Sequence, residues 1–327
     1  MSQALSGQTW VAQASNTTAS LRGVSAVNER VVWASGSGGT WLRTTDGGAT
    51  WKASQIAGAE TLDFRGIRAL DERTAWLMSI GPGEKSRIYQ TSDAGEHWTL
   101  QLTNPDPKGF FDSIAFWDPS HGIVVGDALD GSAEIRTTAD GGAHWERQKT
   151  LPALPGEGSF AASNTCLFVR GAREVWYVTG GTGAGRVFHS GDQGRTWSVT
   201  ATPMRNDSAS AGIFSIAFAD AGRGIIVGGD YSKDKEDRQN IAITADGGRT
   251  WTAPSSAPKG FRSAVAYLAD RKVWVVTGTS GSDISTDNGQ TWKLFDEGSY
   301  NAMSFVSSQA GWAVGARGRI VKFQAAP

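Results

Sequence analysis

Three arginines occupy matching places in a pattern that recurs along this chain. They are Arg22 in Leu21-Arg22-Gly23-Val24, Arg65 in Phe64-Arg65-Gly66-Ile67 and Arg262 in Phe261-Arg262-Ser263-Ala264. Two further copies carry Asp112 (Phe111-Asp112-Ser113-Ile114) and Asn301 (Tyr300-Asn301-Ala302-Met303) at the same place. A guanidinium is a planar fork that donates two parallel hydrogen bonds to a carboxylate. Brought to one face, these residues would make an anion- or carboxylate-binding patch. The alternative is that the arginines stand at a channel mouth, pair with Asp112 or Asp127 and stay solvated. A second chemistry uses the same residue types. Glycoside hydrolysis needs a carboxylic acid to protonate the leaving group, with a nucleophile or a second carboxylate opposite. Tyr300 with Asp112 forms one such pair, and Asp112, Asp127 and Asp230 are candidates for the other.

Six more aspartates recur in a stricter setting, the motif Ser/Thr-x-Asp-x-Gly-x-Thr/His-Trp. Its copies are Thr44–Trp51, Thr91–Trp98, Thr138–Trp145, Ser190–Trp197, Thr244–Trp251 and Ser285–Trp292, carrying Asp46, Asp93, Asp140, Asp192, Asp246 and Asp287. An eroded seventh copy, Gly7-Gln8-Thr9-Trp10, keeps the glycine and tryptophan without the acid. Asp-x-Gly between alternating runs is a hairpin signal. The carboxylate can accept from nearby backbone N–H groups and from the first Ser/Thr, and the glycine takes a positive φ. Each turn offers a single acid, so one repeated structural role explains all six better than metal ligation or catalysis.

The motif also sets the architecture. Its closing tryptophans are 41–54 residues apart, and the span from Trp292 through the chain ends back to Trp10 is 45. A repeat of about 40–50 residues with four short strands is a propeller blade. An inner strand precedes each box, at the patterns above and at Phe160–Ser163 and Ile213–Ile216. Second strands begin at Trp33, Trp76, Ile123, Trp176, Ile225, Trp274 and Trp312, and most end in glycine, as at Gly126, Gly180, Gly228, Gly278 and Gly315. Of the 14 tryptophans, only Trp41 and Trp117 fall outside the scheme. The expectation is therefore an all-β, seven-bladed β-propeller of four-stranded antiparallel blades, one domain over residues 1–327. Its last blade combines about 300–323 with about 7–13, so that no edge strand stays free.

Composition narrows the partners. Lys+Arg 31 against Asp+Glu 32 leaves net charge −1, with no basic run, so nucleic acid is not expected as a partner. No stretch approaches the roughly 20 apolar residues of a membrane-spanning helix. The one cysteine, Cys166, lies among apolar residues and reads as a small core side chain. Few cysteines and a Gly/Ser/Thr/Trp-rich surface suit a periplasmic or secreted protein, with a leader removed ahead of Met1, while a cytoplasmic location stays open. Gly181–Gly185 precedes a strand rather than a helix, so it reads as a turn and not a nucleotide loop. His97 and His144 replace the box threonine, and His121 and His189 show no metal-ligand spacing. No cofactor and no metal are expected. The charged stretch Asp230–Asn240 reads as a solvated, mobile insertion, with a recognition element as the alternative.

With six boxes and seven repeats, the chain resembles the Asp-box (BNR-repeat) propellers. More narrowly it is similar to the photosystem II stability/assembly factor-like family, over essentially its whole length, in segments such as Gly122-Ile123-Val124-Val125-Gly126 and Thr244–Trp251. The box is specific for fold and poor for function, because sialidases, xyloglucan-cleaving enzymes and receptor domains carry it too. The photosynthetic members imply a scaffold that holds an assembly intermediate through an arginine-bearing face. Sialidases also place three arginines at such strands, in an F/Y-R-I-P context of which Phe64-Arg65-Gly66 and Phe261-Arg262-Ser263 keep only the aromatic and the arginine. They have six blades, and xyloglucanases join two propellers. The reading is a monomeric, non-enzymatic binding or assembly scaffold holding a protein segment or acidic ligand through Arg22, Arg65 and Arg262, with Asp112 and Asn301 beside them. A sialidase-like hydrolase or a lectin on the same face is the alternative.

Overall fold

The computed structural model describes residues 7–149 and 151–324, so the expectation about Met1 lies outside the described residues. Seven antiparallel sheets form a ring, each running outward from the axis. Blade one, for example, comprises β2 (Leu21–Ala26), β3 (Val32–Gly36), β4 (Thr40–Thr44) and β5 (Lys52–Gln55). Six sheets have four strands. The fifth has three, β18 (Ala211–Phe218), β19 (Gly224–Asp230) and β20 (Ile241–Thr244), and its outer strand shrinks to one bridge between Ile243 and Thr252. Pro254, two residues on, has no N–H to continue that ladder.

Both faces of every blade are apolar, so each blade is buried only by its neighbours. The second-strand tryptophans Trp33, Trp76, Trp176, Trp274 and Trp312 are all essentially fully buried between blades. Trp41, outside the repeat pattern, joins them by packing on Trp33 and Trp98 with ring centroids 5.7 and 5.6 Å away. Side chains also stitch neighbouring inner strands. Ser304 Oγ accepts from Ala26 N (3.0 Å), Ser25 Oγ from Ala69 N (3.1 Å) and Ser215 Oγ from Val265 N (3.0 Å).

The ring closes as the repeats require. β1 (Thr9–Gln13) pairs antiparallel with β27 (Ile320–Gln324), outermost in the sheet with β26 (Ala310–Val314) and β25 (Ala302–Ser307). Trp10 anchors the closure: Phe323, Phe305, Tyr300 and Phe295 surround it at 5.3–6.2 Å, and its Nε1 donates to Ser282 Oγ of blade six at 3.1 Å.

The boxes are built as hairpin locks. In the first, Thr44 Oγ1 donates to Asp46 Oδ1 (2.7 Å) and accepts from Gly48 N (2.9 Å), while Thr50 donates to the carboxylate from N (2.9 Å) and Oγ1 (2.6 Å). His97 and His144 replace that last hydroxyl, with Nδ1 at 2.7 and 2.6 Å from Asp93 and Asp140. The boxes also tie blades together. Trp76 Nε1 of blade two donates to Gly141 O in the next blade's box (3.0 Å), and Trp176 Nε1 does the same to Gly247 O (3.2 Å).

Three inner strands start later than the repeat pattern places them. The fourth begins at β14 (Leu167–Arg170), the sixth at β21 (Ala264–Leu268) and the seventh at Ala302. In the fourth blade the expected strand Phe160–Ser163 is instead irregular chain near the axis, where tertiary contacts outcompete ladder pairing.

Two outcomes are expected. Removing residues 1–13, or Trp10→Ala alone at a cost of about 3–5 kcal/mol, lowers the urea midpoint sharply; an unchanged midpoint would contradict the closure. The second concerns acid. The Thr250 hydroxyl and N–H hold Asp246 down at about 2, and comparable bonds hold Asp46, Asp93 and Asp140 still lower. Their unfolded value is about 3.9, so the stability they give is complete above about pH 4 and is lost as pH falls toward 2. Melting temperature should drop steeply in that window, and Asp246→Asn should flatten the drop.

Candidate ligand-binding site at the ring centre

Arg22, Arg65, Asp112 and Phe214 share one backbone feature. Each sits at a register shift in its inner strand: between Leu21 and Gly23, Phe64 and Gly66, Phe111 and Ser113, and Ile213 and Ser215. A β-bulge leaves one residue unpaired and re-aims its side chain. Here the four side chains line one central cavity. A second-strand glycine lies across from three of the bulges; Gly36 ends its strand, while the strands expected to end at Gly126 and Gly228 run on to Leu129 and Asp230. Gly36 faces Leu21, Gly126 faces Phe111 and Gly228 faces Ile213. A Cβ on Gly126 would stand 2.1 Å from Phe110 O, so the close approach at the bulge demands glycine.

The cavity encloses about 540 Å³. One wall is charged, formed by Arg22, Arg65, Asp112 and Asp127. The other is aromatic. Phe160 and Phe214 stack at 3.9 Å, Phe261 meets Phe214 edge-on at 4.7 Å, and Tyr231, 56% exposed, stands 6.1–6.3 Å from the stacked pair. The floor is the segment Phe160–Cys166. Arg65 Nη1 donates to Ala161 O (3.1 Å), 96 residues away in sequence, while Ser163 Oγ donates to Ser263 O (2.7 Å). Asn164 exchanges bonds with Ile114 N and O (2.9 and 3.0 Å), and Thr165 Oγ1 lies 2.7 Å from Ser215 Oγ. One stretch thus touches blades two, three, five and six, and it closes the axis from within.

Burial shifts three groups of the charged wall, Arg22, Asp112 and Asp127, from their solution values. Burial, and then the charge of Arg65, push Arg22 down to about 10, against the attraction of Asp63. Arg65 is anchored by Nε to Asp63 Oδ2 at 2.8 Å. Asp112 is 1% exposed. Burial, reinforced by the negative Asp127, raises its carboxyl well above the usual range, against the Ala161 N–H and Arg65. Asp127 is raised by burial too, against the bond it accepts from Ser159 N at 3.1 Å. Arg22 Nε and Asp112 Oδ2 are buried atoms without a hydrogen-bond partner among the described residues.

Arg262 does not belong to this wall. Its side chain is fully buried and paired with Asp283, with further bonds from Nη1 to Ser280 Oγ (2.7 Å) and Phe261 O (2.9 Å). Burial lowers Arg262 and raises Asp283, each opposed by its partner. The strand is irregular here, so the arginine turns into the blade and its neighbour Phe261 takes the cavity place. The expected three-arginine sector therefore has two members at the cavity. Asn301 lines the cavity, though its Nδ2 donates to Leu21 O (2.8 Å) and ties the last blade to the first. Tyr300 is not a lining residue. It is buried, and burial and then the nearby Asp296 raise its hydroxyl above the ordinary tyrosine range. Asp230 is also elsewhere, buried with Arg205, Ser210 and Ser232.

No repeat pattern announces the aromatic wall, although Phe160, Phe214 and Phe261 occupy or precede the repeat position that carries arginine in other blades. Tyr231 comes from the charged stretch expected to be solvated and mobile. That stretch is pinned instead, by Arg205 on Glu236 (2.6 Å), Arg238 on Asp207 and Phe261 N on Asp234 O (2.8 Å).

Fold and site together define a seven-bladed propeller with Asp-box hairpins and a floored central cavity. Comparisons agree with that class. The family described as BNR/Asp-box repeat matches residues 283–294. No curated protein matches the chain. Solved structures match along almost all of it. YCF48 from Cyanidioschyzon merolae is 19% identical, with 96% of this chain and 98% of that one covered and a TM-score of 0.66. A structure described as YCF48 bound to D1 peptide is 16% identical, covering 99% and 98%, with a TM-score of 0.62. The WD40 β-propeller domain of Doa1 is 13% identical, covering 97% of each, with a TM-score of 0.64. At these identities the likeness is one of fold.

The two arginines should respond differently to truncation. Arg262→Ala leaves Asp283 buried and unpaired and should cost about 3–5 kcal/mol. Arg65→Ala breaks a partly exposed pair and should cost about 0–1 kcal/mol. Urea denaturation compares them, and equal costs would contradict the separation of structural from cavity arginine.

Proposed function

We propose that this protein is a non-enzymatic binding or assembly scaffold. It holds a segment of a protein partner, or an acidic ligand, in the central cavity through Arg22 and Arg65, with Asp112 and Asn301 at the same wall. The observation that carries this is the pairing of a charged wall and an aromatic wall around one open cavity, where Arg22 Nε and Asp112 Oδ2 lack partners among the described residues. Buried polar groups of this kind favour a ligand that completes their hydrogen bonds. The likeness of fold to a propeller described as bound to a peptide supports a protein partner. A monomer acting in the periplasm or outside the cell fits the composition.

The test is affinity capture from native extract with wild type and with Arg22→Gln/Arg65→Gln, followed by mass spectrometry and titration with the purified client. A client retained by wild type and weakened at least ~10-fold by the double variant supports the scaffold, as expected for loss of charge-assisted bonds. Equal retention by both proteins overturns it.

A further inference from the structure

The two walls of the cavity, taken together, specify more than a negatively charged partner. Arg22 and Arg65 offer guanidinium donors on one side. Asp112 belongs to the same wall, 1% exposed, with Oδ2 unpartnered among the described residues and a carboxyl group that burial keeps toward its protonated form. When protonated, that carboxyl donates a hydrogen bond and joins the arginines rather than repelling an anion. Asp127, at the same wall, has the acceptor oxygens that a nitrogen-borne hydrogen needs. Facing them, Phe160, Phe214, Phe261 and Tyr231 make an apolar wall whose rings already meet in stacked and edge-on geometry. Aromatic rings prefer such arrangements with a further ring at 4.5–7 Å. Ala161 and Ala162 line the cavity, and their segment bonds to blades two, three, five and six across the centre, which favours a chain end over a through-running segment.

We infer that the cavity is an end-group pocket for an aromatic side chain carrying an adjacent carboxylate, the carboxylate on Arg22, Arg65 and Asp112 and the ring on Phe160, Phe214 and Phe261. This chemistry occurs in a free aromatic α-amino or arylpropionic acid and in the C-terminal residue of a polypeptide. In the second case Asp127 receives the last amide N–H. The inference rests on the reading of this cavity as the ligand-holding site and narrows what it holds.

The test is calorimetric titration of the wild-type protein with four probes: 3-phenylpropionic acid, Ala-Ala-Ala-Ala-Phe, the same peptide as its C-terminal amide, and Ala-Ala-Ala-Ala-Ser. The Phe acid peptide should bind at least ~10-fold more tightly than its amide and than the Ser peptide, because each loses one wall. Comparable binding of 3-phenylpropionic acid identifies a free acid as the source, and binding of the peptide alone identifies a chain terminus. Arg22→Gln should abolish the acid-over-amide preference. Tyr231→Ala, an exposed change that leaves the buried rings in place, should weaken only the Phe-over-Ser preference. Equal binding of acid and amide overturns the end-group pocket while leaving a scaffold that grips internal segments intact. Absence of binding by every probe at millimolar concentration overturns it as well, and the scaffold is then judged separately by client capture with the Arg22/Arg65 variant.

Discussion

Each blade of this protein has two apolar faces and no way to bury them alone. Everything else follows from the requirement that each face meet a neighbour. Seven wedges satisfy it only as a closed ring, and the ring closes only because Thr9–Gln13 adds to the sheet that ends the chain. The contact that secures this closure is aromatic and long-range: Trp10 sits among Tyr300, Phe305 and Phe323 and reaches blade six through Ser282. Hydrophobic burial is non-directional, so directional bonds must set the spacing of the wedges. The serines of the inner strands and the box carbonyls that accept from neighbouring tryptophans do so.

The ring leaves a hole, and two backbone devices make that hole a site. The first is the β-bulge at Arg22, Arg65, Asp112 and Phe214, which points a side chain at the axis where a regular strand would pack it between blades. The second is the Phe160–Cys166 segment, which gives up strand pairing for bonds to four other blades and becomes a floor. Together they turn a channel into a cavity. Desolvation there acts on Arg22 and on Asp112 in the same sense, toward the neutral form. Arg22, at about 10, keeps its charge at neutral pH, so the wall presents charged donors beside phenylalanines, and those donors gain strength from the low local dielectric.

Arg65 and Arg262 show how far identical sequence contexts can diverge. Both follow a phenylalanine in the repeat pattern that leads into an inner strand. Arg65 is held by a partly exposed Asp63 and reaches across the axis to Ala161. Arg262 finds Asp283 on its own blade and is lost to solvent and ligand alike. The difference lies in the acid each one meets. Asp283 is on the third strand, in a place where the other blades carry other residues, and no local pattern announces the encounter.

By itself the sequence determined the ring. Asp-box spacing, second-strand tryptophans, second-strand glycines and the matching ends of the chain are local or periodic signals, set by turn geometry and close backbone approach, and they survive without knowledge of any distant contact. The approximate ring of inner-strand residues was legible for the same reason, so Arg22, Arg65, Asp112 and Asn301 could be placed at the centre from repeat position alone. Tertiary structure decided which of these side chains face the cavity, what closes it and what stands opposite. The withdrawal of Arg262 onto Asp283, the crossing of Phe160–Cys166 and the approach of Tyr231 on a pinned loop all depend on partners remote in sequence. Their energies are set by burial and pairing between blades, and neither has a period that a single chain of letters can display.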